Sequence, residues 1–287
     1  MAQATHLQLL REGSATPQAG KRQPEAGKLV SNLVVVKLSG KILDDEGRLA
    51  ALAADIGDAV AKGSKFIIVH GGGKQIDAAL SQAGIETEKK DGIRVTTPKA
   101  MHVITSVLEG INHDIARAVR EQGLAVRQAG IAGGAPIVSG NPIEDSCSGN
   151  VGGVDLAVLK HVLGKSDVVV MSSMGVRGSG DDYGFLNINA DEVASCVAAE
   201  AGAGKLIMLS DKAVLGSDGS KLAKLDHDSA ALLMKQGVIT DGMAVKARNL
   251  SAAAERVECV LVAGSEGRLA DILQGGYDEA TRFVFSG

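Results

Sequence analysis

Five short strings in this sequence hold the residue types from which a phosphate- or carboxylate-handling site could be built. In Val69-His70-Gly71-Gly72-Gly73-Lys74, three glycines stand between an apolar strand-like run and a helical stretch. Gly72 and Gly73 there fall where a helix N-terminus offers backbone N–H groups to an anion. Such a turn serves close packing equally well, so the string decides nothing alone. Val36-Lys37-Leu38-Ser39-Gly40 ends a second apolar run, at the strand end where open α/β sheets place their ligands. A lysine in that place commonly carries its head out to solvent. Beside two glycine turns at neighbouring strand ends, a cation facing an anion is the better reading of Lys37.

The third string, Gly92-Ile93-Arg94-Val95-Thr96, offers a guanidinium that can hold a carboxylate by two parallel hydrogen bonds. The fourth, Leu186-Asn187-Ile188-Asn189-Ala190-Asp191, opens a helix, and Asn189 or Asp191 could be no more than its cap. The fifth, Ile239-Thr240-Asp241-Gly242-Met243-Ala244-Val245-Lys246, puts Lys246 about one turn inside a helix, where a lysine is ordinarily solvated. His70 reads as a packed histidine with a structural role.

The elements that must position these strings follow from hydrophobic periodicity. Continuous apolar runs of β-branched character at 33–38, 65–70, 125–129, 167–171, 205–209 and 258–262 predict buried parallel strands. Between them, helical patterns cover 48–61, 75–83, 99–122, 190–201, 226–235 and 242–256, with a further helix near Leu269. That alternation is the rhythm of a layered α/β fold with a mainly parallel sheet. The Gly/Ser/Pro-rich segment 130–153 reads as loops or a polar hairpin outside the core. The chain divides at about Gly184 into an N-terminal lobe, 32–184, and a C-terminal lobe, 185–287. Residues 1–31 read as a flexible arm with a short helix near His6.

Composition narrows the function. At 287 residues with 45% hydrophobic and 22% charged content, the chain can bury roughly 75% of its unfolded surface. A net charge of -4, 2% aromatic residues and no Trp leave neither a basic field nor stacking surfaces, so no nucleic-acid partner is expected. Cys147, Cys196 and Cys259 lack metal-ligand spacing and read as packing residues in a reducing compartment. With no long apolar run and no secretory-signal pattern, no membrane association and a cytoplasmic location are expected.

Taken in order, the five strings resemble the acetylglutamate kinase branch of the amino acid kinase family, over about residues 32–262. The resemblance implies a three-layer αβα sandwich, an N-terminal lobe that binds an acyl amino acid and pairs two subunits into a homodimer, and a C-terminal lobe that binds ATP. It implies phosphorylation of the side-chain carboxylate of N-acetyl-L-glutamate, within arginine biosynthesis, with Mg²⁺ carried by the nucleotide and no metal ligands from the protein. Lys37 and Lys246 would neutralise the transferring phosphoryl group, with Asp191 orienting both. Gly72, Gly73, Arg94 and Asn187 would hold the acyl amino acid, while Gly40, Asp211, Gly242 and Met243 would lie on the nucleotide side. The alternatives are a kinase for a related acylated amino acid or for uridylate, or a family member that binds a metabolite without catalysis.

Four features depart from the family pattern. Ser39 stands in place of a glycine. The loop Lys212-Ala213-Val214-Leu215 is glycine-free, and 130–135 reads Gly-Ile-Ala-Gly-Gly-Ala. Residues 1–31 lack the aromatic-proline signature of an arginine-inhibited hexamer, so arginine feedback is not expected.

Overall fold

The computed structural model describes residues 32–285 apart from 91–92, 132–133, 144–145, 179–182, 212–213 and 279. The arm 1–31, with the helix expected near His6, lies outside the described residues.

Fourteen strands and nine helices are found among the described residues. The N-terminal part runs β1 (Leu33–Leu38), α1 (Gly40–Leu43), α2 (Glu46–Ala61), β2 (Lys65–His70), α3 (Gly73–Gln82), β3 (Lys89–Lys90), β4 (Ile93–Arg94), α4 (Pro98–Arg120) and β5 (Val126–Ala129). The middle part is β6 (Val138–Pro142), β7 (Ser148–Val154), α5 (Leu156–Leu163), β8 (Val168–Ser172), β9 (Met174–Arg177) and β10 (Gly184–Ile188). The rest is α6 (Ala190–Ala201), β11 (Lys205–Ser210), β12 (Lys224–Asp226), α7 (His227–Lys235), α8 (Asp241–Ala253), β13 (Cys259–Gly264), α9 (Leu269–Leu273) and β14 (Ala280–Val284).

Eight strands form one sheet in the order β12-β14-β13-β11-β1-β2-β8-β5. Every pairing in it is parallel except β13 with β14. Strand residues alternate between its two faces. Val35, Ile67, Val169, Leu206 and Val260 pack with α5, α6 and α8 on one side. Val36, Phe66, Val170, Ile207 and Leu261 pack with α2, α4 and α9 on the other. The result is the three-layer αβα sandwich with a mainly parallel sheet that the sequence led us to expect.

Within segment 130–153 the expected hairpin is present as β6 with β7, but it is not outside the core: it closes with β9 and β10 into a four-stranded barrel, and Val138 and Ser148 are buried. Strands β9, β10, β12 and β14 had no periodicity to announce them. Helix α3 starts at Gly73, two residues earlier than its apolar pattern suggests, so the last glycine of the turn is already helical. Gly184 falls on the first residue of β10.

Candidate active site

The carboxyl ends of the two central strands and the starts of α6 and α8 meet at Asp191. Asn189 is the N-cap of α6, its side chain accepting from the Asp191 N–H at 2.8 Å, so the cap is supplied without Asp191. Asp191, in the first turn, is thereby left to hold two cations. Its Oδ1 lies 2.9 Å from Lys37 Nζ, an ion-pair contact off hydrogen-bond alignment, and its Oδ2 accepts from Lys246 Nζ at 2.7 Å. Lys246 is 7% exposed, which overturns the surface placement its helix position suggested.

Burial works to raise the Asp191 pKa, but the Lys37 and Lys246 charges together outweigh it and hold the carboxyl at about 2. Burial, with the neighbouring Lys37 charge, pushes Lys246 below the ordinary lysine value against the pull of Asp191. Two cations on one carboxylate leave a net positive charge in a sheltered place, which suits an anion carrying more than one negative charge.

Two cavities adjoin this cluster. One, of about 270 Å³, is lined by Lys37, Gly40, Gly72, Gly73, Arg94 and Asn187 among others. The other, of about 500 Å³, is lined by Lys37, Asp191, Asp211, Gly242, Met243 and Lys246, with Leu215, Val238 and Ile239 as apolar wall. Lys37 belongs to both. A third cavity, of about 450 Å³, opens among Asn32, Asp58, Lys62 and Tyr277 at the opposite strand ends, away from Asp191.

The wall of the smaller cavity is stitched by hydrogen bonds. Arg94, 8% exposed, donates to Thr87 Oγ1 at 2.7 Å and pairs with Asp77, which also takes Lys89 at 3.1 Å. Asn187 Nδ2 donates to Thr96 Oγ1 at 3.2 Å, Thr96 N–H donates to Ser148 Oγ at 3.1 Å, and Ser148 Oγ donates to the Arg94 carbonyl. The third and fourth strings are thus one network. On the other flank, Asp44 accepts from Lys74 at 3.2 Å and Gln75 at 2.6 Å, tying the two glycine turns together. Ser39 has φ of -82°, which a serine adopts freely, and its buried Oγ has no hydrogen-bond partner among the described residues.

A family model described as the amino acid kinase family matches residues 32–263. The chain belongs to the amino acid kinase family. Proteins named acetylglutamate kinase from Shewanella sp. (strain MR-4) and Shewanella baltica (strain OS155 / ATCC BAA-1091) are 35% and 36% identical to it, over 75% of this chain and 83% of theirs. In fold, this amino acid kinase is similar to N-acetylglutamate synthase from Neisseria gonorrhoeae (TM-score 0.76, 19% identity, 90% of this chain and 61% of that one). It is also similar to carbamate kinase from Giardia lamblia bound to AMP-PNP (TM-score 0.66, 15% identity, 90% and 100%). A kinase of this family is a phosphotransferase, and the Lys37–Asp191–Lys246 cluster has the charge such chemistry requires.

Sequence reasoning missed Asp77, Ser148 and Asp44. Asp77 lies one helical turn after Gly73 and so on the same face, a spacing that would have exposed it. Ser148 and Asp44 act across the fold and had no local signal. Of the departures noted above, 212–213 and 132–133 lie outside the described residues, while Val214 is fully buried. Cys147, Cys196 and Cys259 are free, and burial first, then Glu192 and Glu200, push the Cys196 thiol up to about 11.

Proposed function

We propose that this amino acid kinase uses ATP to phosphorylate the side-chain carboxylate of N-acetyl-L-glutamate, as a cytoplasmic homodimer in arginine biosynthesis. The observation that carries the reading is the cluster of Lys37, Asp191 and Lys246, whose Lys37 lines both cavities. The names borne by relatives of about a third identity support the choice of acceptor.

The acyl amino acid is assigned to the smaller cavity. Asp77 and Thr87 each occupy part of the Arg94 guanidinium, and its remaining N–H groups are available to the carboxylate that does not react. Asn187, Gly72 and Gly73 complete that side. The nucleotide is assigned to the larger cavity, with the apolar wall toward the base and Asp211, Gly242 and Met243 beside it. The residues fit a polyphosphate, because Lys37 and Lys246 converge on this cavity. Mg²⁺ is expected to arrive with the phosphates, because it prefers to keep its waters and phosphate oxygens. The N-terminal lobe, 32–184, would then serve the acceptor and subunit pairing, and the C-terminal lobe, 185–287, the nucleotide.

An ionised carboxylate is already a nucleophile and needs no general base, so the protein's work is positioning and charge neutralisation. Lys37 reaches both cavities and would follow the phosphoryl group across. Lys246 would neutralise charge from the nucleotide side, and Asp191 fixes the two ammonium groups at one spacing. Backbone N–H groups of Gly40 and Gly72 would donate to the phosphoryl oxygens.

The test is ATP-dependent acyl phosphate formation, trapped as the hydroxamate, with N-acetylglutamate, N-acetylaminoadipate, glutamate and uridylate as acceptors. Turnover highest with N-acetylglutamate is expected. Turnover confined to uridylate, or none with any acceptor, would overturn the assignment.

A further inference from the structure

His70 is fully buried and touches no cavity described above, yet it stands immediately before the glycine turn. Its Nδ1 lies 3.1 Å from the Gly71 carbonyl oxygen, and its Nε2 lies 3.0 Å from Asn112 Nδ2. The protonation of the ring can be read from its neighbours. Asn112 Nδ2 also lies 3.2 Å from the Val170 carbonyl, which can only accept, so that atom is the amide nitrogen. The Asn112 oxygen, correspondingly, accepts from Gln128 Nε2 at 2.9 Å. An amide N–H therefore points at Nε2, which must be a bare acceptor. The neutral ring then carries its proton on Nδ1 and donates it to Gly71.

We propose that His70 is a positioning residue: through Asn112 it is held in the Nδ1–H tautomer, and through Gly71 it locks the Gly71–Gly72 peptide so that the Gly72 N–H points into the smaller cavity. A trans peptide is planar with its C=O and N–H opposed, so fixing the Gly71 oxygen toward His70 turns the Gly72 N–H away from it. The other side of the turn is closed by the same helix that supplies Asn112. A Cβ on Gly72 would lie 2.6 Å from Ile111 Cδ1 and 3.3 Å from Leu108 Cδ2, both on α4. Burial holds the His70 pKa at about 4, so the neutral ring the lock needs persists through the physiological range. The role in turnover rests on the function proposed above, because only a developing phosphoryl charge makes the direction of that N–H matter.

The experiment has two readouts. Imidazole nitrogen NMR on the folded wild-type protein reads the tautomer without any substrate, and Nδ1 protonated with Nε2 bare is expected. His70→Phe keeps ring volume without the donor, and His70→Gln restores a donor on a smaller side chain. For His70→Phe, kcat is expected to fall on the order of 10² to 10³, the loss typical of one preorganised donor. KM for acceptor and nucleotide should stay within a few-fold, and His70→Gln should recover part of kcat. A ring protonated on Nε2 overturns the proposal whether or not either variant folds, as does a folded His70→Phe enzyme with unchanged kcat. A wild-type protein that transfers phosphate to no acceptor would instead defeat the proposed function, and the tautomer would still decide the lock.

Discussion

Asp191 shows how a single residue can be misjudged by local rules. At a helix start an aspartate is ordinarily a cap, and what frees this one to pair with Lys37 and Lys246 is that Asn189 caps the helix instead. The sequence carries both residues, but which of them caps depends on where Lys37 and Lys246 arrive, 154 and 55 residues distant in the case of Asp191. Lys246 is hidden for a related reason, since nothing within α8 says that its outer face meets α6. Two predictions belong at this scale. Lys37→Ala and Lys246→Ala should fold normally and lose turnover by about 10² to 10³, measured as kcat, because each removes charge that grows in importance during transfer. Asp191→Asn should lose turnover comparably and also lose stability, because two ammonium groups are then left face to face. Breaking a closed buried pair costs about 3–5 kcal/mol, and the two cavities that admit water here should reduce that figure. A chemical denaturation midpoint equal to wild type would contradict the second prediction.

At the scale of elements, the longer helices and the buried strands were legible because burial on two faces writes continuous apolar runs and burial on one face writes a helical period, whereas the short helices α1 and α5 were not expected. The four-stranded barrel was not, and its size is the reason. Its strands pack so closely that glycine takes the place of side chains: a Cβ on Gly175 would lie 2.5 Å from Ile188 Cδ1, and one on Gly149 would lie 2.8 Å from Leu186 Cδ1. A strand whose inward positions are glycine shows no apolar alternation. Ser148, on β7, joins Thr96 to the Arg94 carbonyl, so part of the network behind the smaller cavity was hidden with the barrel. Helix α4 was legible as a helix but not as the backing of the glycine turn, which its Leu108, Ile111 and Asn112 provide. Gly72→Ala tests that backing. The φ of -171° lies outside the left-handed region that favours glycine, and an added Cβ would clash with Ile111 Cδ1 at 2.6 Å and sit tight against Leu108 Cδ2 at 3.3 Å. Overpacking of this kind costs about 1–3 kcal/mol. Displacement of the turn should lower kcat by more than that stability loss implies, and Ile111→Ala in the same chain should restore much of it by opening the space.

For the whole molecule, the continuous sheet is supplemented by ion pairs between its two halves. Asp55 on α2 accepts from the Ala270 N–H at 3.1 Å and from Arg268, and Arg48 on the same helix reaches Glu266 at 2.8 Å. These contacts, with Asp191 and His70, make stability depend on acid in a defined direction. His70 is held at about 4 by burial, whereas in the unfolded chain it protonates near 6.5. Between those values the unfolded chain takes up a proton that the native ring refuses, so stability falls as pH drops through that window, by on the order of 3 kcal/mol. Asp191 behaves differently: its native value of about 2 lies below the ordinary 3.8, so its contribution is present above that pH and is lost only as pH falls from there toward 2. Asp55 and Asp77 are likewise lowered, each by bonds that outweigh its burial, and they add to the same lower window. Denaturation at pH 7, 5.5 and 4.5 should therefore show a first loss that precedes protonation of Asp191, Asp55 and Asp77. His70→Phe should flatten that first loss and leave the lower one in place. If wild type and His70→Phe lose stability in parallel from pH 7 to 4.5, the proton is being taken up elsewhere, and the buried neutral ring is not what sets the upper limb.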